Sequence, residues 1–160
     1  MKIRIDDLQH PAVQALIREH LQSMYAQSPP ESVHALGIEQ LRGPDVTFFT
    51  AWDGATLLGC GALQELDARH GEIKSMRTPE ALRGRGTARA LLHHIIDVAR
   101  ERGYERLSLE TGSFDAFLPA RTLYESVGFT YCGPFGKYRE DPLSSFMTLT
   151  LDAAGALSRR

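Results

Sequence analysis

Hydrophobic residues recur at helical spacing in two long segments of the chain. The first segment begins at Pro11, which is well placed for the first turn of a helix, and is expected to end near Tyr25. The second segment runs from Ala88 to Ala99, and Gly103 supplies a stop signal. The apolar face predicted for the first helix consists of Val13, Leu16, Ile17, Leu21 and Met24.

Other segments follow the shorter period that is typical of strands. Val46 to Trp52 is rich in β-branched and aromatic residues, and Asp53-Gly54 predicts a tight hairpin into a second strand, Thr56 to Leu66. Within a further strand, Glu72 to Thr78, the apolar residues lose their two-residue alternation. Such a loss of phase predicts a β-bulge in this strand.

Helices and strands alternate from Glu72 onward, whereas hairpins occupy the earlier part of the chain. This order indicates a mixed α/β fold rather than a helical bundle or a β-sandwich. The strand, crossover helix and strand between Glu72 and Thr111 should pair in parallel through a right-handed connection. The later predicted elements are a strand from Leu107 to Thr111, a helix from Ala120 to Val127, and strands at Phe129 to Cys132 and Phe146 to Leu151.

The composition narrows the range of functions. The chain has 160 residues and a formal net charge of −2, which predicts one domain (1–160) with no global attraction to nucleic acid. It has no apolar run long enough to span a bilayer and no signal-like segment at its start, so we expect a cytoplasmic protein without a membrane partner. Cys60 and Cys132 lack ligand partners at useful spacings, so we expect both to be buried and no metal to be bound.

The segment from Leu82 to Ala88 has the features of a phosphate-binding turn. Gly84 and Gly86 allow a ligand to approach the main chain closely, and the positive end of the following helix favours phosphate. Local positive charge comes from Arg83, Arg85 and Arg89. An ordinary loop with solvated arginines is the alternative interpretation. The spacing fits neither the dinucleotide fingerprint nor the Walker loop.

Two ordered motifs resemble those of the GNAT (N-acetyltransferase) superfamily. Arg83-x-x-Gly86-x-Ala88 matches its R/Q-x-x-G-x-G/A signature, between a strand and the following helix. Downstream, the segment from Ala120 to Phe129 is similar to its A-x-x-L-Y-x-x-x-G-F motif. The segments from Ser28 to Leu36 and from Gly133 to Tyr138 further resemble a bacterial subgroup of small members similar to YsnE.

The resemblance covers nearly the whole chain and implies a particular fold and coenzyme. The implied fold is a mixed, mostly antiparallel central sheet with a parallel central strand pair and flanking helices. The implied coenzyme is acetyl-CoA, with main-chain groups of Met76 and Thr78 paired with its pantetheine arm. Phe117 stands where many members carry asparagine, so the contact made by that asparagine is not carried over. The coenzyme-binding residues implied by the resemblance are Met76, Arg77, Thr78, Arg83, Gly84, Arg85, Gly86, Thr87 and Ala88.

The resemblance also implies catalytic roles. In the family, the hydroxyl of the tyrosine in the second motif lies beside the coenzyme sulfur. The corresponding residue here is Tyr124, which makes it the candidate general acid. Its alternative role is to pack on the apolar face of its helix. Glu72 is the first candidate base, because some members place a glutamate at the start of the corresponding strand, and Glu110 is the second. Simple solvation of both carboxylates is the competing interpretation.

The acceptor site is expected to involve the first helix and its following loop. Its mixed apolar and charged residues suit a small-molecule amine, which would receive the acetyl group by direct transfer from acetyl-CoA. A non-catalytic acyl-CoA sensor is the alternative function, and exposed strand edges are compatible with a homodimer. The expected acceptor-binding residues are Met24, Tyr25, Glu31, His34 and Glu110.

Overall fold

The computed structural model describes residues 1–151 of the chain. Pro11 begins the first helix, with the His10 imidazole as its cap, and Gly128 in the left-handed conformation ends the last one. Short 3-10 turns lie at Pro30–Ser32, Glu80–Leu82 and Asp115–Phe117. In chain order the α-helices and strands are β1 (Lys2–Ile5), α1 (Pro11–Gln27), α2 (Ile38–Leu41), β2 (Val46–Asp53), β3 (Thr56–Asp67), β4 (His70–Arg77), α3 (Thr87–Glu101), β5 (Arg106–Gly112), α4 (Leu118–Val127), β6 (Thr130–Cys132) and β7 (Ser144–Thr150).

The seven strands form one sheet in the order β1-β2-β3-β4-β5-β7-β6. β4 and β5 pair in parallel, with Glu72 opposite Ser108, whereas β1–β2, β2–β3, β5–β7 and β6–β7 pair antiparallel. The predicted mixed sheet with a central parallel pair and flanking helices is therefore confirmed. The described residues fall into two compact units, Met1–Gln64 with Ile73–Val98, and Glu65–Glu72 with the described residues from 99 onward. That residues 1–160 form a single domain stays a prediction.

The core of the first unit lies between α1 and the antiparallel strands. Val13 and Ile17 of α1 are fully buried, as the apolar spacing of this helix predicts. They share a cluster with Phe48, Trp52 and Cys60 of β2 and β3. Burial of this one helical face holds α1 on the sheet.

Two glycines of β3 let neighbouring side chains approach the strand closely. A Cβ at Gly59 would lie 3.0 Å from Cγ2 of Thr87 and 3.1 Å from the Arg77 carbonyl oxygen. A Cβ at Gly61 would clash with the sulfur of Met76 and lie 3.1 Å from Cδ1 of Ile95. The absence of a side chain at these two positions of β3 therefore lets Thr87 and Ile95 of α3 pack close to the strand.

The second unit contains the end of α3, β5 to β7 and α4. Arg121 of α4 is buried and donates from Nη1 to the carbonyls of Gly112 and Phe114, at 2.6 and 3.0 Å. Phe117 packs against Gly112, where a Cβ would clash with its ring, and its ring meets that of Phe114 edge to face at 4.9 Å. The residue at the usual asparagine position is thus part of the packing between β5 and α4.

The structure corrects several sequence-based expectations. Cys60 is buried as predicted, but Cys132 is exposed. Cys132 belongs to the short strand β6 at the edge of the sheet, where all three residues are exposed. α1 continues to Gln27, about half a turn beyond the predicted end near Tyr25. Thr78 follows β4 rather than belonging to it.

Candidate active site

The turn before α3 exposes glycines in the left-handed region. Gly84 and Gly86 both have φ of 81°, and apart from the adjacent residues in sequence no heavy atom of residues 1–151 lies within 4 Å of a Cβ built on either glycine. The hydrogen bond from the Ala90 amide to the Gly86 carbonyl, at 3.0 Å, joins this turn to α3. In any α-helix the first amides have no carbonyl acceptor within the helix itself, so an acceptor from outside the helix can pair with them. The arrangement suits an anion at the positive end of a 15-residue helix.

Thr87 adds a side-chain donor to the first turn of α3. The residue is only 2% exposed, and its hydroxyl has no hydrogen-bond partner among the described residues. A buried hydroxyl without a partner costs about 1–3 kcal/mol, and native proteins rarely leave one unused. The orphaned hydroxyl of Thr87, together with the open space over Gly84 and Gly86, fits a phosphate ligand at this turn.

Three arginines surround the turn, as the sequence predicts. Arg83, Arg85 and Arg89 are all exposed. Nε of Arg83 donates weakly to the Thr78 carbonyl at 3.4 Å, which ties the residue to the end of β4. Several positive charges on a chain of net charge −2 concentrate attraction for a polyanion at one end of α3.

β4 departs from regular strand geometry at Ser75, immediately before the segment predicted to bind the coenzyme. Ser75 has φ of 56°, a left-handed conformation that is unusual for a non-glycine residue, and its carbonyl accepts a hydrogen bond from Sγ of Cys60 at 3.3 Å. The sulfur of Met76 lies over Gly61, whereas Arg77 reaches Glu19 on α1. These two side chains therefore contact different parts of the first unit.

Tyr124 is buried in α4 of the second unit. It is 7% exposed, and its ring meets that of Phe129 edge to face at 5.7 Å. Burial raises the pKa of the Tyr124 phenol above its ordinary value, so the hydroxyl keeps its proton at neutral pH. A protonated phenol can donate to a leaving group.

The two candidate bases are both engaged in hydrogen bonds within the second unit. Glu72 is 4% exposed and accepts a short hydrogen bond from the Tyr138 hydroxyl. Glu110 accepts from Oγ of Ser144 at 2.8 Å. Burial, together with the negative charges of Glu72 and Glu110, raises the pKa of Tyr138. Tyr138 therefore stays a hydrogen-bond donor beside two carboxylates.

The predicted acceptor-binding residues of the first unit do not share one environment. Met24, near the end of α1, and His34 are partly buried. Tyr25 is 55% exposed, and Glu31 is an exposed residue of a 3-10 turn. Glu110 belongs to the second unit, as Glu72 does.

Comparisons with known proteins place the chain in a family. The profile described as "Acetyltransferase (GNAT) family" matches residues 13–129. The chain belongs to the GNAT acetyltransferase family. It is 62% identical over 151 residues to YsnE of Bacillus subtilis (strain 168), described as an uncharacterized N-acetyltransferase, covering 94% of this chain and 100% of that one. It is 52% identical to the E. coli (strain K12) protein YedL, which carries the same description, covering 93% and 94% of the two chains.

A solved structure confirms the fold of this acetyltransferase. An aminoglycoside 6'-N-acetyltransferase complexed with coenzyme A superimposes with a TM-score of 0.70 at 15% sequence identity, covering 94% of this chain and 97% of that one. The family prediction drawn from the two motifs, and the prediction that the chain is an acyl-CoA-dependent N-acyltransferase, are confirmed. The roles of the individual site residues stay predictions.

Two further properties concern only the described part of this acetyltransferase. Across residues 1–151 there is no group of three or more His, Cys, Asp or Glu side chains that could hold a metal ion. Over the same range, none of the helices combines the length and apolar character needed to cross a membrane.

Sequence reasoning missed two residues that the structure draws attention to. Tyr138 lies in a loop, and its hydrogen bond to Glu72 joins residues 66 positions apart. His20 is buried at the end of the apolar face of α1, a position where a polar residue interrupts a helical stripe of Val13, Leu16 and Ile17. That interruption is the available sequence signal for His20, whereas Tyr138 is marked only as the last residue of the segment from Gly133 that resembles the YsnE-like subgroup.

Proposed function

We propose that this GNAT enzyme moves an acetyl group from acetyl-CoA to the primary amine of a small molecule by direct transfer. The main observation in favour is the turn before α3, where two left-handed glycines leave open space beside the orphaned hydroxyl of Thr87. These features suit the pyrophosphate of a coenzyme. In the proposal, the amides from Gly84 to Ala88 and the Thr87 hydroxyl bind the pyrophosphate, while Arg83 and Arg85 add positive charge.

The pantetheine arm is assigned to the end of β4. The left-handed Ser75 interrupts the regular strand just before Met76, and such irregularities free main-chain groups from a ladder. We assign main-chain groups of Met76 and Thr78 to the amides of pantetheine. The expected consequence is an extended coenzyme whose thioester lies beyond the strand irregularity.

Tyr124 is proposed as the general acid. Acyl transfer to an amine leaves a thiolate that must take up a proton. Because burial raises the pKa of Tyr124, the phenol is protonated throughout the neutral range and can supply that proton.

Glu72 is proposed as the base that removes a proton from the acceptor ammonium, directly or through water. Its burial and its hydrogen bond from Tyr138 hold the carboxylate in one orientation. Glu110 is assigned to acceptor binding, with the Ser144 hydroxyl fixing its side chain. Met24, Tyr25, Glu31 and His34 complete the proposed acceptor-binding set, and a homodimer stays a prediction.

Release of free thiol tests the proposed function. The purified enzyme is incubated with acetyl-CoA and a panel of small primary amines, and thiol formation is followed with a chromogenic reagent. Amine-dependent release that falls about 100-fold in kcat for Tyr124→Phe, with unchanged coenzyme affinity, is the expected result. Thr122→Ala, at an exposed residue of the same helix, serves as the control. Coenzyme binding without release for any amine would favour the sensor instead.

A further inference from the structure

His20 is an unusual member of the buried face of α1. It occupies the position that continues the stripe of Val13, Leu16 and Ile17, and it is only 8% exposed. Its Nδ1 is buried and has no hydrogen-bond partner among the described residues. A buried polar nitrogen without a partner is costly, which suggests a ligand that completes it.

Arg77 of β4 faces the same helix. Its Nη2 donates to Oε1 of Glu19 at 3.0 Å, and its side chain is 14% exposed. Nε of Arg77 is buried and, like Nδ1 of His20, has no partner within residues 1–151. The pairing with Glu19, the residue next to His20, therefore fixes the guanidinium while one N–H group stays unused.

The charge of Arg77 also acts on His20. Burial and the nearby guanidinium lower the pKa of His20 to about 4, although Glu19 opposes this effect. The imidazole is therefore neutral at physiological pH, with one nitrogen that donates and one that accepts. A neutral imidazole beside an arginine is compatible with an incoming anion.

Ser75 supplies a third unused polar group in the same unit. Its hydroxyl is buried without a partner among the described residues, and its φ of 56° places a non-glycine residue in the left-handed region. Backbone strain of this kind costs about 1–3 kcal/mol and concentrates at functional sites. Ser75 lies two residues before Arg77 on β4, so the strain and the unused Arg77 donor occur in one short segment.

The chemistry of these groups defines the ligand. Arginine Nε can only donate, a serine hydroxyl can donate, and a neutral histidine donates from Nδ1 in one tautomer. The partner of Arg77 Nε must therefore supply an acceptor atom, which the other two groups can also use, and the fixed positive charge of Arg77 favours an anionic partner. A carboxylate has two acceptor oxygens and forms strong hydrogen bonds with arginine.

We propose that Arg77 and His20, together with Ser75, bind a carboxylate group of the acceptor. The acceptor class is then an amino acid or a related molecule that carries both an amine and a carboxylate. This inference rests on the proposed function, since it names the substrate class of the same enzyme. It assigns the Arg77 side chain to the acceptor, whereas the main chain on either side of Arg77 is assigned to the coenzyme.

The test uses carboxylate probes and a signal from His20 itself. Protein labelled with ¹⁵N-histidine is titrated with N-acetylglycine, N-acetyl-L-leucine and N-acetyl-L-phenylalanine, each compared with its carboxamide, with and without coenzyme A. His20→Gln identifies the His20 resonances among those of the six histidines. We expect saturable movement of the His20 ring signals with at least one carboxylate, and at least tenfold weaker binding of its carboxamide.

Variants connect the signal to the guanidinium. Arg77→Gln should weaken carboxylate binding by about 10- to 100-fold, because a charged hydrogen bond is lost. The affinity of Arg77→Lys should lie between those of the wild type and Arg77→Gln. Arg18→Gln, at an exposed arginine of α1, is the matched control and should bind as the wild type does. Thermal unfolding of each variant shows whether it folds.

Each other outcome would overturn the inference. Equal binding of carboxylate and carboxamide, no binding of any carboxylate, or wild-type binding by Arg77→Gln would each refute it. A response of His20 to coenzyme A alone would assign the unused groups to the coenzyme. A parallel thiol-release assay separates the two proposals. If acetyl transfer occurs only to amines that lack a carboxylate, the carboxylate subsite is refuted. If the protein binds carboxylates selectively but no amine causes release of thiol from acetyl-CoA, the proposed function is refuted.

Discussion

Replacing Gly86 by alanine adds a single carbon to the turn before α3, at a position where the structure shows open space. Gly86 has φ of 81°, and within the described part of the chain only its neighbours in sequence come within 4 Å of the added Cβ. The left-handed conformation costs an L-residue about 1–2 kcal/mol. Gly86→Ala should therefore lower the free energy of unfolding by about that amount and Tm by about 2–8 °C.

The same carbon would occupy the space that the proposed pyrophosphate needs. Loss of one charge-assisted amide contact costs about 1.5–3 kcal/mol, so we expect coenzyme A to bind about 10- to 150-fold more weakly. Isothermal titration calorimetry with coenzyme A measures this affinity, and denaturant unfolding measures the stability of the same preparation.

Gly103 provides a matched control for backbone strain. It also has φ of 81° and open space where a Cβ would lie, but it follows the C-terminal end of α3. Gly103→Ala should lose similar stability and bind coenzyme A with wild-type affinity. Wild-type affinity in Gly86→Ala would refute the pyrophosphate assignment, and equal affinity losses in the two variants would show that general destabilisation is the cause.

Three further substitutions test separate parts of the site. Thr87→Val should raise the stability of the coenzyme-free enzyme by about 1 kcal/mol, because it removes a buried unpaired hydroxyl, and should weaken coenzyme A binding about tenfold by calorimetry; unchanged affinity would remove Thr87 from the site. Glu72→Gln should lower kcat at least 100-fold in the thiol-release assay without changing coenzyme affinity, and near-normal kcat would transfer the base role to Glu110 or water. Since burial lowers the pKa of His20 to about 4, the unfolded chain binds its proton first as the pH falls below about 6.5. Stability should then decline by up to about 3 kcal/mol between pH 6.5 and 4, and a His20→Asn variant with an equally steep decline would contradict this.

The elements that were predictable are those whose signals are local. Asp53-Gly54 predicts its hairpin because glycine supplies the left-handed residue, and Gly54 has φ of 57°. The apolar stripe of α3 predicts its buried face, and the loss of alternation in β4 corresponds to the left-handed Ser75. Local spacing is sufficient for such features because burial of one face decides them.

Features that depend on distant partners could not be predicted in this way. The ion pair of Arg77 and Glu19 joins residues 58 positions apart, and no local sequence feature of either residue predicts the other as its partner. In the sequence, Phe117 is only a departure from the family pattern, and its packing on Gly112 depends on the folded position of the segment that begins α4. The exposure of Cys132 depends on the outer position of β6, which apolar composition does not reveal.

The glycines of β3 and those of the turn before α3 resist substitution for opposite reasons. At Gly59 the limiting factor is occupied space, since Thr87 and the Arg77 carbonyl lie 3.0 and 3.1 Å from an added Cβ. At Gly84 and Gly86 the limiting factor is the positive φ, which a D-amino acid adopts without strain. In an enzyme assembled by chemical ligation, D-alanine would therefore relieve the backbone strain at Gly84 that L-alanine imposes, yet it would introduce strain at Gly59.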